Sequence, residues 1–349
     1  MHEMKCTDAG NAIMSPRITF ALNLCDVALA KADVAELVAS AERHISPTGG
    51  TRPPAVSRIY LGSYYCERSF LAITDEEAHE LGAFCNKHGI GITLVMPSPL
   101  ESMRDATYRK AERLARALDD AFDELCVNDI GTLSRALETR KSLSNAQSIP
   151  QNENLSALDS PSIETDEQIE SITLKSAPSR QRTPETSVSS GFNIVAGRLF
   201  FKQQRDPRTP EAFMPASMSA ASLDLEQEIG ALSCIETDLA FTQLHVDESI
   251  PSNCTIALHY PFTLVSRMRV CQFAHDPRPA SPFSAATPCR LECRREMMEY
   301  RTHEGARFYK AGKSIVAPAD ASLRDAMRAL PSDRPIRIVW QPSFEEVAR

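Results

Sequence analysis

Over the first 140 residues the apolar positions switch between two periods. Arg17–Leu22, Arg58–Leu61, Gly91–Met96 and Glu124–Val127 are short runs dense in Ile, Leu and Val, the pattern of strands covered on both faces. Between them the apolar residues recur every three or four positions. Val34, Leu37, Val38 and Ala41 share one face of a predicted helix over Asp33–His44. Thr74 followed by Glu77 predicts a capping box that opens the next helix. Further helices are predicted over Ser102–Leu118 and from Ile130 to Thr139. Strand and helix alternating at this spacing predict βα units, a parallel sheet and right-handed crossovers.

From Lys141 to Gly191 this pattern stops. The segment is rich in Ser, Thr, Pro, Gln, Asn and Glu and has too few large apolar residues to offset its ordering entropy, so a disordered insertion is expected over 142–191. Patterning resumes at Phe192, with strands predicted at Asn193–Ala196, Leu239–Val246, Cys254–His259 and Ile336–Trp340. Helices are predicted over Leu223–Leu232 and Ala321–Leu330, and a hairpin or short strand within Arg307–Val316. Eight such strands predict an α/β chain folded as an irregular (β/α)8 TIM-like barrel with a long insertion, in preference to an open doubly wound sheet. The expected layout is a flexible N-terminus over 1–16, a first part of the barrel over 17–141, the insertion over 142–191, and a second part over 192–349.

The formal charge of −8 argues against a nucleic-acid-coating surface. The N-terminus lacks a basic segment followed by an apolar one, and no apolar run reaches the ~20 residues that span a bilayer. A cytoplasmic protein without a membrane span is expected, in which the ten cysteines stay reduced.

Four of these cysteines are placed for chemistry. Cys271, Cys289 and Cys293 read C-x17-C-x3-C in a stretch rich in Arg and Pro, and Cys66 follows the second predicted strand. A packed core has little use for two thiols four residues apart in polar company. An iron–sulfur cluster does, and so does a structural zinc; a set of unrelated thiols is the third reading. Cys6, Cys25, Cys85, Cys126, Cys234 and Cys254 lie in apolar or terminal contexts and read as core or incidental residues.

In a barrel, functional residues gather at the carboxyl ends of strands. Asn128 and Asp129, His245 and Asp247, and His259 with Tyr260 fall there on the predicted strands, which makes Asp129, His245, Asp247 and His259 the catalytic candidates. Arg198, Arg205 and Arg208 surround a Lys-Gln-Gln-Arg-Asp-Pro-Arg turn that could bind an anion or simply be a solvated charged loop. No nucleotide-binding glycine loop, zinc-protease helix or serine-hydrolase elbow is present.

Together these segments resemble the collagenase-like peptidase family (U32), and within it the UbiV-type members. The resemblance rests on I-Y-L-G-S-Y-Y-C-E-R around Cys66, V-N-D-I-G-T-L at Val127–Leu133, G-R-L-F-F-K-Q-Q-R-D-P-R at Gly197–Arg208 and R-V-C…C-x3-C at Arg269–Cys293. It implies a barrel-like fold and a [4Fe–4S] cluster on Cys66, Cys271, Cys289 and Cys293. It also implies a subunit of an oxygen-independent hydroxylase of ubiquinone biosynthesis, working as a heterodimer with a homologous UbiU-type subunit and with prephenate as oxygen donor. The arginines would then hold that donor's carboxylates. RNA-base hydroxylation and peptide cleavage are the alternatives the same resemblance offers.

Overall fold

The structure, a computed structural model, describes residues 18–45, 55–147, 191–200, 216–218, 225, 227–238, 244–267, 271, 289–294, 298–319, 322–323 and 334–342. The expected flexible N-terminus, most of the expected insertion, nearly all of the helix expected at Ala321–Leu330, and Arg205 and Arg208 lie outside these residues.

The chain opens with β1 (Ile18–Asn23), α1 (Val34–Ile45), β2 (Val56–Gly62), α2 (Glu67–Leu71), α3 (Asp75–His88), β3 (Gly91–Val95), α4 (Arg104–Leu118), β4 (Phe122–Val127) and α5 (Ile130–Gln147). It continues through β5 (Asn193–Ala196), β6 (Ala216–Met218), β7 (Cys234–Asp238), β8 (Leu244–Val246), β9 (Thr255–Tyr260), β10 (Phe262–Arg267), β11 (Met298–Arg301), β12 (Arg307–Ala311), β13 (Ser314–Pro318) and β14 (Ile336–Trp340). Eight strands close into a barrel in the order β1-β14-β9-β7-β5-β4-β3-β2. Every pairing in it is parallel. The TIM-like expectation therefore holds at the level of a mixed α/β chain with a closed, parallel, eight-stranded barrel.

Alternation along the strands sorts the side chains. Leu22, Ile59, Leu61, Leu94, Ile194, Ile235, Ile256 and Ile338 face outward into one apolar layer shared with the helices. The opposite parity, Ala21, Tyr60, Val95, Cys126, Val195, Cys234, Ala257 and Val339, fills the barrel interior. Polar groups sit inside as well. Arg337 on β14 forms a two-pronged pair with Glu124 on β4, at 2.8 and 2.9 Å, and donates to the Tyr60 hydroxyl at 3.0 Å. Arg58 pairs with Asp123 at 2.5 and 2.9 Å and approaches Glu124 at 3.4 Å.

The capping box at α3 is complete: Glu77 N–H donates to Thr74 Oγ1 at 3.0 Å, and Thr74 N–H donates to Glu77 Oε2 at 2.8 Å. Thr74→Ala should cost about 1 kcal/mol in a urea unfolding measurement, since it removes one of these bonds and leaves the helix otherwise intact.

Three expectations need correction. The sixth barrel strand is Cys234–Asp238, not Leu239–Val246; of the latter span, Leu244–Val246 pairs with β6 in a separate two-stranded sheet. Sequence reading favoured the longer apolar run, whereas the barrel uses a strand carrying Glu236 and Asp238, whose charges are met by partners inside. The helix expected at Leu223–Leu232 is, among the described residues, a turn and a short 3-10 segment at Ile229–Ala231. α5 runs on to Gln147, past the expected start of the insertion at 142. The hairpin expected near Arg307–Val316 is present as β12 and β13, within a four-stranded antiparallel sheet, β10-β13-β12-β11, inserted between β9 and β14.

Candidate functional site

The site is built where β2 ends. Gly62 adopts φ +134°, a conformation that L side chains rarely enter, and its α-carbon lies against the backbone of β3: a β-carbon there would come within 2.1 Å of Val95 O. Ser63 Oγ then accepts from the amides of Tyr65 at 3.2 Å and Cys66 at 3.0 Å, and Ser63 N–H donates to Val95 O at 3.1 Å. This tight turn places Tyr64 inside the barrel and Cys66 beside the inserted sheet.

Two ties from late in the chain set the other cysteines near Cys66. The first is the turn between β12 and β13. Gly312 has φ +59°, and a β-carbon on it would lie 3.7 Å from Cys293 Sγ and 3.8 Å from Cys66 Cβ. Cys271 Sγ lies 3.3 Å from Gly312 O. Lys313, next in the chain, is buried and pairs with Glu67 at 2.5 Å, which fixes this turn onto α2. The second tie is Arg294, which donates to Ala72 O at 3.2 Å and Val27 O at 3.1 Å and lies 3.6 Å from Glu77. It clamps the turn Cys289–Arg294 against the loops after β1 and α2. Within that turn Leu291 has φ +58°, and its amide lies 3.4 Å from Cys289 Sγ.

Cys66, Cys271 and Cys293 therefore border Gly312, Cys289 lies within electrostatic reach of Cys293, and none of the described cysteines is in a disulfide. Burial pushes the Cys66 thiol up to about 12. Cys293 is raised further, by burial first and then by Asp26 and the other three cysteines. Among the described residues, no three His, Cys, Asp or Glu side chains are grouped as the ligands of a metal ion. Cys66, Cys271 and Cys293 border the turn, and the four thiols form no such group.

A second polar group lines the barrel interior next to this collar. Tyr64 OH donates to Glu236 Oε2 at 2.9 Å, and His259 Nε2 lies 3.3 Å from both. Glu236 is held below the usual carboxylate range: burial opposes this, and His259, Tyr64 and Cys126 outweigh it. His259 is held below its ordinary value by burial and then by Arg198. Arg198 is itself buried, paired with Asp238 and donating to Phe262 O at 3.1 Å.

The sequence candidates fare unequally. Cys66, Cys271, Cys289 and Cys293 are brought together, and His259 lies inside the barrel. Arg198 is not open to an incoming anion, because Asp238 already neutralises it. Asn128 bridges loops, donating to Met96 O at 2.8 Å and accepting from Leu199 N at 3.4 Å. Asp129 caps α5, its two oxygens accepting from Thr132 N at 2.9 Å and Thr132 Oγ1 at 2.8 Å. His245 lies on β8 and Asp247 just after it, so neither ends a barrel strand; Asp247 accepts from Ser249 N at 2.8 Å. Sequence reading missed Tyr64, Glu236, Asp238, Arg294 and Lys313. For Glu236 and Asp238 a signal existed: two carboxylates alternating with apolar residues in C-I-E-T-D mark a strand with a charged inner face.

No helix among the described residues is long and apolar enough to cross a membrane. No family model matches the chain, and no curated protein and no solved structure matches it either.

Proposed function

We propose that the chain is an iron–sulfur protein in which Cys66, Cys271, Cys289 and Cys293 hold a [4Fe–4S] cluster. In this reading it is a UbiV-type subunit of the collagenase-like peptidase family, serving oxygen-independent hydroxylation in ubiquinone biosynthesis beside a UbiU-type partner. The observation that supports this reading is that Cys66, Cys271 and Cys293 border Gly312 while Cys289 lies within electrostatic reach of Cys293. The donor set suits the group in kind: four thiols in no disulfide, with the turn at Gly312, φ +59°, passing beside Cys66 and Cys293. A cluster bound there would supply a one-electron redox centre. The protein's own contribution would be electrostatic and steric. Lys313 draws the Cys66 thiol down against burial, Asp26 and Glu67, and loading would displace protons from thiols that burial keeps protonated. With Arg198 committed to Asp238, a carboxylate donor such as prephenate would need other cationic contacts.

The test is anaerobic purification followed by iron, sulfide and zinc analysis. The expected result is ~4 iron and ~4 sulfide per chain, with iron falling sharply in Cys66→Ala, Cys271→Ala, Cys289→Ala and Cys293→Ala. One zinc per chain and no iron, or iron content indifferent to these substitutions, would end the proposal.

A further inference from the structure

We propose that the barrel interior at Tyr64 is a binding site for a neutral molecule bearing a hydroxyl or amino donor, with His259 Nδ1 as the hydrogen-bond acceptor for that donor. The site does not depend on what the four thiols hold.

The argument starts from hydrogen-bond accounting. Buried polar atoms in folded proteins are nearly always paired, so a contiguous group of unpaired ones calls for an explanation. Around Tyr64 four stand together: Glu236 Oε1, His259 Nδ1, Arg198 Nε and Tyr65 OH have no partner, although each is shielded from solvent. Their residues share Tyr64 as a neighbour. Its hydroxyl contacts Glu236 and His259, the Arg198 guanidinium lies 5.7 Å over its ring, and the Tyr65 ring centre is 5.8 Å from its own.

The network fixes which way the imidazole faces. Glu236 Oε2 accepts from Tyr64 OH, so His259 Nε2 meets a carboxylate and a phenol oxygen and must carry the hydrogen. Nδ1 is then a bare lone pair. A carboxylate that holds one imidazole nitrogen as a donor orients the ring and raises the basicity of the other. A bound hydroxyl or amino group donates its hydrogen bond to Nδ1.

Charge selects the ligand. Glu236 and Asp238 contribute two negative charges, and Arg198 contributes one positive. The surplus is one negative charge, which repels an anion. The open positions are two acceptors, Glu236 Oε1 and His259 Nδ1, one donor, Arg198 Nε–H, and Tyr65 OH, which can do either. A neutral donor-bearing molecule satisfies the two acceptors; a carboxylate leaves them bare.

Phenol and benzoate, similar in size and opposite in this respect, are the probes. In the full-length protein at pH 7, nitrogen-15 histidine NMR should show His259 neutral with hydrogen on Nε2. Added phenol should shift the Nδ1 signal. Ligand-observed NMR should detect phenol but not benzoate, with phenol affinity at least ~10-fold weaker in His259→Gln, which keeps a donor near Nε2 and removes Nδ1, and in Glu236→Gln. Circular dichroism checks that the variants fold; where one does not, the wild-type tautomer and the phenol-induced shift decide. Absence of phenol binding, benzoate binding as tight as phenol, unchanged affinity in both folded variants, or hydrogen on Nδ1 would each overturn the proposal.

Discussion

Glu124→Gln is expected to lower the unfolding free energy by about 3–5 kcal/mol at pH 7, read from urea unfolding, because it leaves a buried guanidinium without its carboxylate. Arg58 keeps Asp123 in the variant, but Arg337 has no other carboxylate partner among the described contacts and stays within the barrel. Acid should expose the same interaction. Burial raises the Glu124 carboxyl, and Arg58 and Arg337 with the hydrogen bonds from Arg337 and Thr93 bring it down to about 2. Against an ordinary value of ~4.3, that is worth roughly 3 kcal/mol. Since the folded value lies below the unfolded one, this stabilisation is complete above about pH 4.3 and is lost as the pH falls through about 2. Glu124→Gln should remove this part of the acid dependence. Adding Arg337→Met should recover part of the stability; a double variant as unstable as the single one would refute the unpaired-charge account.

Gly62→Ala should be worse, costing more than about 4 kcal/mol and abolishing soluble expression at physiological temperature. Two independent strains coincide. The backbone at φ +134° is one that alanine avoids, and the new methyl would lie 2.1 Å from Val95 O, a backbone atom of a paired strand that cannot swing aside. Relief would require separating β2 from β3 at the mouth and displacing the turn that carries Tyr64 and Cys66. Gly89→Ala is the control. Gly89 also has positive φ, at +71°, but nothing lies within 4 Å of its would-be β-carbon, so only the smaller conformational cost of about 1 kcal/mol applies. Similar losses in the two variants, by chemical unfolding, would show that the clash is not the cause.

The alternation of periods made the barrel legible in the sequence: seven of its eight strands overlap the spans read from apolar runs, and Thr74 with Glu77 marked a helix start to the residue. The failure at β7 has a physical reason. Cys234–Asp238 carries two carboxylates, and local pattern reading places such a strand at the surface, because the groups that satisfy them, Arg198, Tyr64 and His259, come from three other strand ends. His245 and Asp247 were placed at a strand end for the same reason. That Cys66, Cys271 and Cys293 lie near one turn could be suspected from spacing, but what positions them could not. Arg294 and Lys313 look like ordinary basic residues in sequence, and only the fold pairs Lys313 with Glu67 and brings Arg294 to Val27 and Glu77.

The last barrel strand has a consequence for biosynthesis. β14 fills the gap between β1 and β9, with Ile336 set beside Ile18 on one side and Ile256 on the other. A nascent chain on the ribosome therefore cannot seal its barrel until β14 has been made. Until then the segments that bear Cys271, Cys289 and Cys293, which lie between β9 and β14, have no closed barrel to pack against, and their thiols stay open to oxidants and chaperones alike.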